Sequence, residues 1–300
     1  MTTQAPATPL RPDTSVEVAP VGDRGARIRR YLAYFFLGAY ALLMFVPFLY
    51  SVATSFKTQP DSLRVSFIPD PFTLRGWETA WTQLDPALPV MFFNSAIIAA
   101  AVTLTNVVLG SMAGYAFARL RFPGREPLFL LVLATLMIPD QLRLVPVYQL
   151  ISGVGLINRN PTNYLSVVLV LAISATSIFL LRQYFLTIPR DLEEAAKIDG
   201  AGFFTTFWRV MLPLASPAIA AVAILQFQGT WNGFFWPLLF LQHRPHYTLP
   251  LALSQFRFEY TSDWPALMAV VVMTTLPILV LYLFFQRYFV EGVAAAGVKG

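Results

Sequence analysis

Residues 188–217 read IPRDLEEAAKIDGAGFFTTFWRVMLPLASP, a charged and turn-rich segment set between two long apolar runs. Asp191 follows Pro189 as a candidate N-cap, and Glu194, three residues on, completes a capping-box-like pair. The acids Asp191, Glu193 and Glu194 suit the positive N-terminus of a short helix, and Gly200 ends it. Leu192, Ala195 and Ala196 then share one face, where the two alanines leave room for another backbone. A second short amphipathic stretch, 203–210, follows a Gly–Ala–Gly hinge and runs to Pro213. It concentrates Phe203, Phe204, Phe207 and Trp208. Aromatic rings on a water-side loop need cover. The residues alone leave two covers open: the membrane surface with the chain's own helices, or a partner protein.

Outward from this loop the chain is apolar. Of its 300 residues 56% are hydrophobic and only 12% charged, and mean hydropathy is +0.60. Soluble domains carry about a quarter charged residues, so this composition places the chain among membrane proteins and excludes disorder, a collagen-like fibre and a disulfide scaffold. There is no cysteine, hence no disulfide, thiolate metal site or Cys nucleophile. Charges are costly in hydrocarbon, so gaps between them locate the spans. The gaps predict an all-α polytopic protein with six transmembrane helices, about 31–54, 92–117, 127–147, 164–181, 216–240 and 266–285, each near the ~20 residues a span needs. Residues 1–23 read as a disordered cytoplasmic tail, and 24–300 as the membrane domain with a cytoplasmic loop at 188–213. The first apolar run is too long for a cleaved signal peptide.

The third span is interrupted by Asp140 and Arg143 beside Pro139 and Pro146. Their i,i+3 spacing lets them pair, and they read as a structural ion pair near the outer end. With the N-terminus inside, 14 of the 21 Lys and Arg residues fall on inner segments. The positive-inside rule then puts both termini in the cytoplasm of a plasma-membrane protein. The basic residues form no aromatic-interleaved patch, so membrane lipid is an expected partner and nucleic acid is not.

No catalytic or metal-ligating set is legible. The lysines are Lys57, Lys197 and Lys299, and none lies in a G-x-x-x-x-G-K-[ST] phosphate loop. His243 and His246 read as a solvated outer-loop pair, too few for zinc. Gly110 and Gly114 form a G-x-x-x-G in span two, a close helix contact either internal or to a partner. In span five Gln228 and Asn232 share a face, with Trp231 beside them. Together they are the candidate solute pathway, amides exchanging hydrogen bonds with a polyhydroxyl solute and the indole covering a ring. Gln226 reads as a helix–helix hydrogen-bonding amide.

Glu194-Ala195-Ala196, then Gly200, then Val210 and Leu212-Pro213 is a spacing that resembles the EAA loop of binding-protein-dependent ABC importer permeases, with Val where Ile is usual. The stretches MIPDQLRLVPVYQL (137–150), FQGTWNGFFWPLLFL (227–241), LPLALSQF (249–256), DWPALMAVVVM (263–273) and FQRYFVEGVAAAGVKG (285–300) resemble the carbohydrate-type, MalG-like branch. The resemblance covers the membrane region and not the N-terminal tail. It implies a type I ABC importer permease fold and a permease subunit for a sugar or related polyol, forming half of the translocation pathway. It implies that the chain is not itself an enzyme and carries no cofactor, with ATP and Mg held by a partner. The partners implied are a second permease subunit, two copies of an ATP-binding subunit and an extracytoplasmic solute-binding protein. The loop would be the coupling helix, with Glu193, Glu194, Ala195, Ala196, Asp199, Gly200, Phe203 and Phe207 as its contact residues and Glu194 orienting it through capping. The last residues, 297–300, resemble the family's C-terminal signature, a tail for a narrow interface. Two other classes stand beside this one. A self-contained secondary transporter predicts an inverted repeat and midplane ions. A membrane-embedded glycosyltransferase predicts an acid or metal cluster, for which Asp191, Glu193, Glu194 and Asp199 are the available acids.

Overall fold

A computed structural model describes residues 24–157, 163–251, 253–254 and 263–297. The expected tail at 1–23 and most of the C-terminal signature lie outside the described residues. The chain divides into two units, residues 1–48 and 49–300. The described part of the first is helical, within α1 (Arg24–Ser55), and its apolar side chains from Tyr31 to Phe45 are exposed, as lipid-facing side chains are.

The second unit is built on α4 (Leu88–Arg119), against which α8 (Ala175–Thr187) and α12 (Ser216–Trp231) pack. Small residues make this packing close. A Cβ at Gly114 would lie 2.9 Å from Leu181 Cβ and 3.0 Å from the Arg182 nitrogen, and one at Gly110 would lie 3.1 Å from Ser177 Cβ. The G-x-x-x-G contact is therefore internal, between α4 and α8. The last helix, α14 (Trp264–Gly297), packs on α3 (Arg75–Thr82) and α12. Between α1 and α3 lies a short helix, α2 (Gln59–Ser62).

Among the described residues, three helices are long and apolar enough to cross a membrane: Arg27–Ser55, Leu88–Arg119 and Trp264–Phe284. Three further segments are bent pairs, and the total reaches six if each pair is one span. Arg125–Met137 and Asp140–Gly153 meet at 101°, so the third apolar run is not a straight helix. The residue before a proline avoids the helical region, and Ile138, before Pro139, is extended. This break separates α5 (Arg125–Ala134) from α6 (Leu144–Gly153). In the fourth run, α7 (Asn163–Leu171) and α8 meet at 44°, with Ser174 as the N-cap of α8. In the fifth, α12 stops at Trp231 and a separate helix, α13 (Phe235–Phe240), follows. Its sharp bend, 76°, lies instead before Ser216, where Pro217 opens α12. Proline at a first helical turn loses no bond, because that N–H has no intrahelical partner.

Bends free backbone groups that lipid cannot satisfy. Asn106, fully buried on α4, meets those of the fourth run. Its Nδ2 donates to the Leu171 carbonyl at 2.7 Å, and its Oδ1 accepts from the Ser174 N–H at 2.8 Å and from Ser177 Oγ at 3.1 Å. Gln226 of α12 donates to Ser174 Oγ at 2.9 Å and Ser177 Oγ at 3.0 Å, the helix–helix role expected of it.

Candidate functional site: the loop between the fourth and fifth spans

The loop helix is α9 (Asp191–Ile198), followed by two short helices, α10 (Phe203–Thr206) and α11 (Leu212–Leu214), before α12. Arg190, not Asp191, is its N-cap, and no side chain caps it. The expected capping box is therefore absent, because Asp191 already lies inside the first turn. There it joins Glu193 and Glu194 as an acid near the positive helix end. The C-terminus follows the expectation for Gly200, whose φ is +80°. Its N–H bonds the Lys197 carbonyl at 3.0 Å, and the Ala201 N–H bonds the Ala196 carbonyl at 2.9 Å, which is the Schellman pattern.

Two residues at the end of α4 fix the loop. Arg119 Nε lies 2.8 Å from Glu193 Oε1, with side chains only 5% and 12% exposed. The same guanidinium donates to the Ile188 carbonyl at the loop entrance. Tyr115, one turn earlier, donates to Glu193 Oε2 at 3.5 Å and packs on Phe185, Phe203 and Phe207 at ring separations of 5.1–5.5 Å. Phe207 and Met211 are buried in this cluster, and Ala196 of α9 is also buried. Glu193 is thus the anchored acid, while Glu194 faces solvent with Ala195, Asp199 and Gly200. Arg119 and Tyr115 were not among the expected site residues. Their positive and aromatic character at the C-terminal end of span two is the signal a sequence offers for them.

Beside their exposed charges, α9 and the following turn present large apolar side chains outward. Ile198 is 86% exposed and Phe204 68%, with Leu192, Phe203 and Trp208 also exposed. The Leu192–Ala195–Ala196 face divides: Ala196 turns inward, and Leu192 and Ala195 turn out. A rigidly held helix with an uncovered apolar face is built to be covered.

The span-five candidates separate in the same way. Gln228 on α12 and Asn232 at its C-cap are both exposed. Trp231 is buried, stacked on Phe227 at 5.7 Å, and its indole donates to the Thr274 carbonyl at 3.1 Å. Its place is the α12–α14 seam. On the other side of α12 a cleft of about 390 Å³ opens among the breaks at Asp140, Ser174 and Gly233. The outer-loop histidines also differ from expectation. His243 is exposed, but His246 is buried, edge-on to Tyr164 at 5.3 Å. Burial and the neighbouring His243 pull the His246 pKa below its usual value. Among the described residues no group of three or more His, Asp or Glu is placed to hold a metal.

A family model described as "Binding-protein-dependent transport system inner membrane component" matches residues 106–294. The chain is 37% identical over 263 residues to the arabinooligosaccharides transport system permease protein AraQ of Halalkalibacterium halodurans, covering 87% of this chain and 93% of that one. It is 34% identical over 261 residues to the trehalose/maltose transport system permease protein MalG of Thermococcus litoralis, again covering 87% and 93%. Among solved structures, a chain of a bacterial ABC transporter that imports the acidic polysaccharide alginate superposes with a TM-score of 0.77. It is 23% identical and covers 90% of this chain and all of the other.

Proposed function

This chain belongs to the family of binding-protein-dependent transport system inner membrane components, and from that premise we propose that it forms half of a sugar-translocating pathway coupled to ATP hydrolysis through α9. It is a multi-pass membrane protein with the type I permease fold, a permease subunit of an ABC importer. Its partners include an ATP-binding subunit and a solute-binding protein. The finer reading is that two ATP-binding subunits and a second permease complete the assembly, and that both termini lie in the cytoplasm. The solute is a neutral oligosaccharide or related polyol, a class supported by the printed substrates of the AraQ and MalG relatives. The nucleotide and its Mg belong to the partner subunit.

The observation that carries the coupling is the anchored helix with its uncovered apolar face. Arg119 and Tyr115 hold α9 from behind through Glu193, so force applied to the face is transmitted rather than absorbed. Ala195 leaves room for a partner backbone, and Ile198 and Phe204 supply the apolar area. Glu194 and Asp199, on the exposed side, offer charges to the partner, and Gly200 sets the turn.

The test is co-purification of the tagged chain with its ATP-binding subunit in detergent, followed by solute-stimulated hydrolysis. Ile198→Asp and Phe204→Asp should release the ATP-binding subunit or abolish stimulation while the permease pair stays together. Retention of both the subunit and full stimulation in the two variants would sink the coupling assignment.

A further inference from the structure

The turn between α4 and α5 walls a hollow of about 690 Å³. Residues 121–127 form most of the wall, and Arg190, at the entrance of α9, completes it. The charged residues of the lining are Arg121, Arg125 and Arg190 against one acid, Glu126. Glu126 is already engaged: its Oε1 lies 2.8 Å from Arg125 Nη2 and its Oε2 lies 3.2 Å from Arg182 Nη2. Arg125 also donates to the Leu120 carbonyl at 3.3 Å. Arg121 and Arg190 are exposed, and among the described residues neither guanidinium has a carboxylate partner or a hydrogen-bond acceptor.

Two guanidiniums brought to one hollow from distant parts of the chain repel each other unless an anion sits between them. A phosphate suits the planar fork of arginine, which meets two of its oxygens at once. The surroundings choose among phosphates. A Cβ placed on Gly124, a lining residue, would lie 3.9 Å from Leu128 Cδ1, so Leu128 stands at the rim. Leu128 is 49% exposed, and Leu131, one turn further along α5, is 66% exposed. This leucine stripe climbs an apolar helix away from the hollow, as acyl chains climb away from their phosphate. A soluble anion uses the arginines alone, whereas a phospholipid uses both features.

We propose that the hollow seats the headgroup of an anionic phospholipid, its phosphate diester accepting from Arg121 and Arg190 and its acyl chains lying along Leu128 and Leu131. The leaflet is the one on the α9 side, which is cytoplasmic on the reading of α9 as the coupling helix, and in that respect the proposal rests on that reading. Arg121 lies just past the end of α4 and Arg190 is the N-cap of α9. A lipid held by both joins the two elements from the membrane side, next to the Arg119–Glu193 anchor.

The experiment uses the assembled transporter in phosphatidylcholine nanodiscs that carry a trace of phosphatidylglycerol with a photoreactive diazirine on one acyl chain. Illumination and peptide mass spectrometry map the label, with label on α1 as the internal reference. Label is expected on residues 128–131, displaced by unlabelled phosphatidylglycerol but not by added phosphatidylcholine or inorganic phosphate. At roughly fivefold in affinity for each arginine, Arg121→Gln with Arg190→Gln should cut that label about 25-fold relative to α1. Arg121→Lys with Arg190→Lys should keep most of it. Label within twofold of wild type in the glutamine pair, or displaced equally by phosphatidylcholine, overturns the site. Displacement by inorganic phosphate overturns the lipid and assigns the arginines to a soluble anion. Label that appears only after the ATP-binding subunit is stripped away means that this partner fills the hollow, and overturns the lipid too. If the glutamine pair fails to assemble, the displacement series on the wild type decides. Failure of the coupling assignment shows separately, in Ile198→Asp and Phe204→Asp, and leaves the labelling pattern unchanged.

Discussion

Asn106 shows what one side chain does in a solvent that offers no hydrogen bonds. It joins the carbonyl that ends α7 to the N–H that precedes α8, so the bend keeps its polar groups satisfied. Asn106→Leu leaves both groups orphaned in a buried site. At about 1–3 kcal/mol for each of the two unsatisfied buried groups, the loss is roughly 2–6 kcal/mol. It should appear as a markedly lower melting temperature of the detergent-purified protein, while Asn106→Gln recovers part of it. Nothing local in the sequence marks this residue. An asparagine in an apolar run announces that it has partners, but beyond the Val102 carbonyl one turn back they lie 65 or more residues away and are set by helix packing. His246 makes a second case. Its folded pKa is depressed, chiefly by burial and then by His243, so the neutral form is favoured in the fold. The associated stability is present above the unfolded value, about 6.5, and is lost as pH falls through the lower folded value. Thermal stability should therefore drop on acidification below about pH 6.5. His246→Gln should flatten that drop, and a wild-type profile unchanged by the substitution would refute the assignment.

At the scale of elements, the charge gaps located each apolar run, because the cost of a charge in hydrocarbon is strong and local. They did not show that three of the runs are broken. A proline or a serine inside an apolar run is compatible with a gentle kink as well as with the 101° turn after Met137. Which of these forms depends on whether neighbours can satisfy the freed backbone. The span-five boundary moved for the same reason. Helix α12 ends at Trp231, whose ring is held against α14 by its bond to the Thr274 carbonyl. The loop was more legible. Gly200 and the acidic first turn follow from local rules, whereas the anchor through Arg119 required knowing that the end of α4 lies beneath α9. The glycine pair illustrates packing that sequence names without locating. Gly114→Val places a branched side chain where a Cβ already lies 2.9 Å from Leu181. Overpacking of this kind costs about 1–3 kcal/mol. It should lower the melting temperature and the yield of folded protein more than Gly38→Val, whose Cβ meets nothing within 4 Å.

For the whole molecule the issue is how one end communicates with the other. The loop helix follows α8 and precedes α12 in the chain, but its ionic anchor is on α4, a helix more than seventy residues away in sequence. Arg119 and Glu193 are both nearly excluded from solvent, where removing one partner strands the other. Arg119→Ala and Glu193→Ala should each lower stability and solute-stimulated ATP hydrolysis. The double variant should be no worse than the poorer single one, with an interaction energy of roughly 0.5–3 kcal/mol. Strict additivity would mean that the pair transmits nothing. The anchor also predicts the genetics of this transporter. If α9 couples to the ATP-binding subunit as proposed, a lesion on its exposed face that loosens that subunit changes how far the loop must travel. Compensating changes should then arise not only in the partner but on α4 around Tyr115 and Arg119, where the lever has its fulcrum. A suppressor screen against Phe204→Asp would read out that hinge line directly, as second-site revertants clustered on α4.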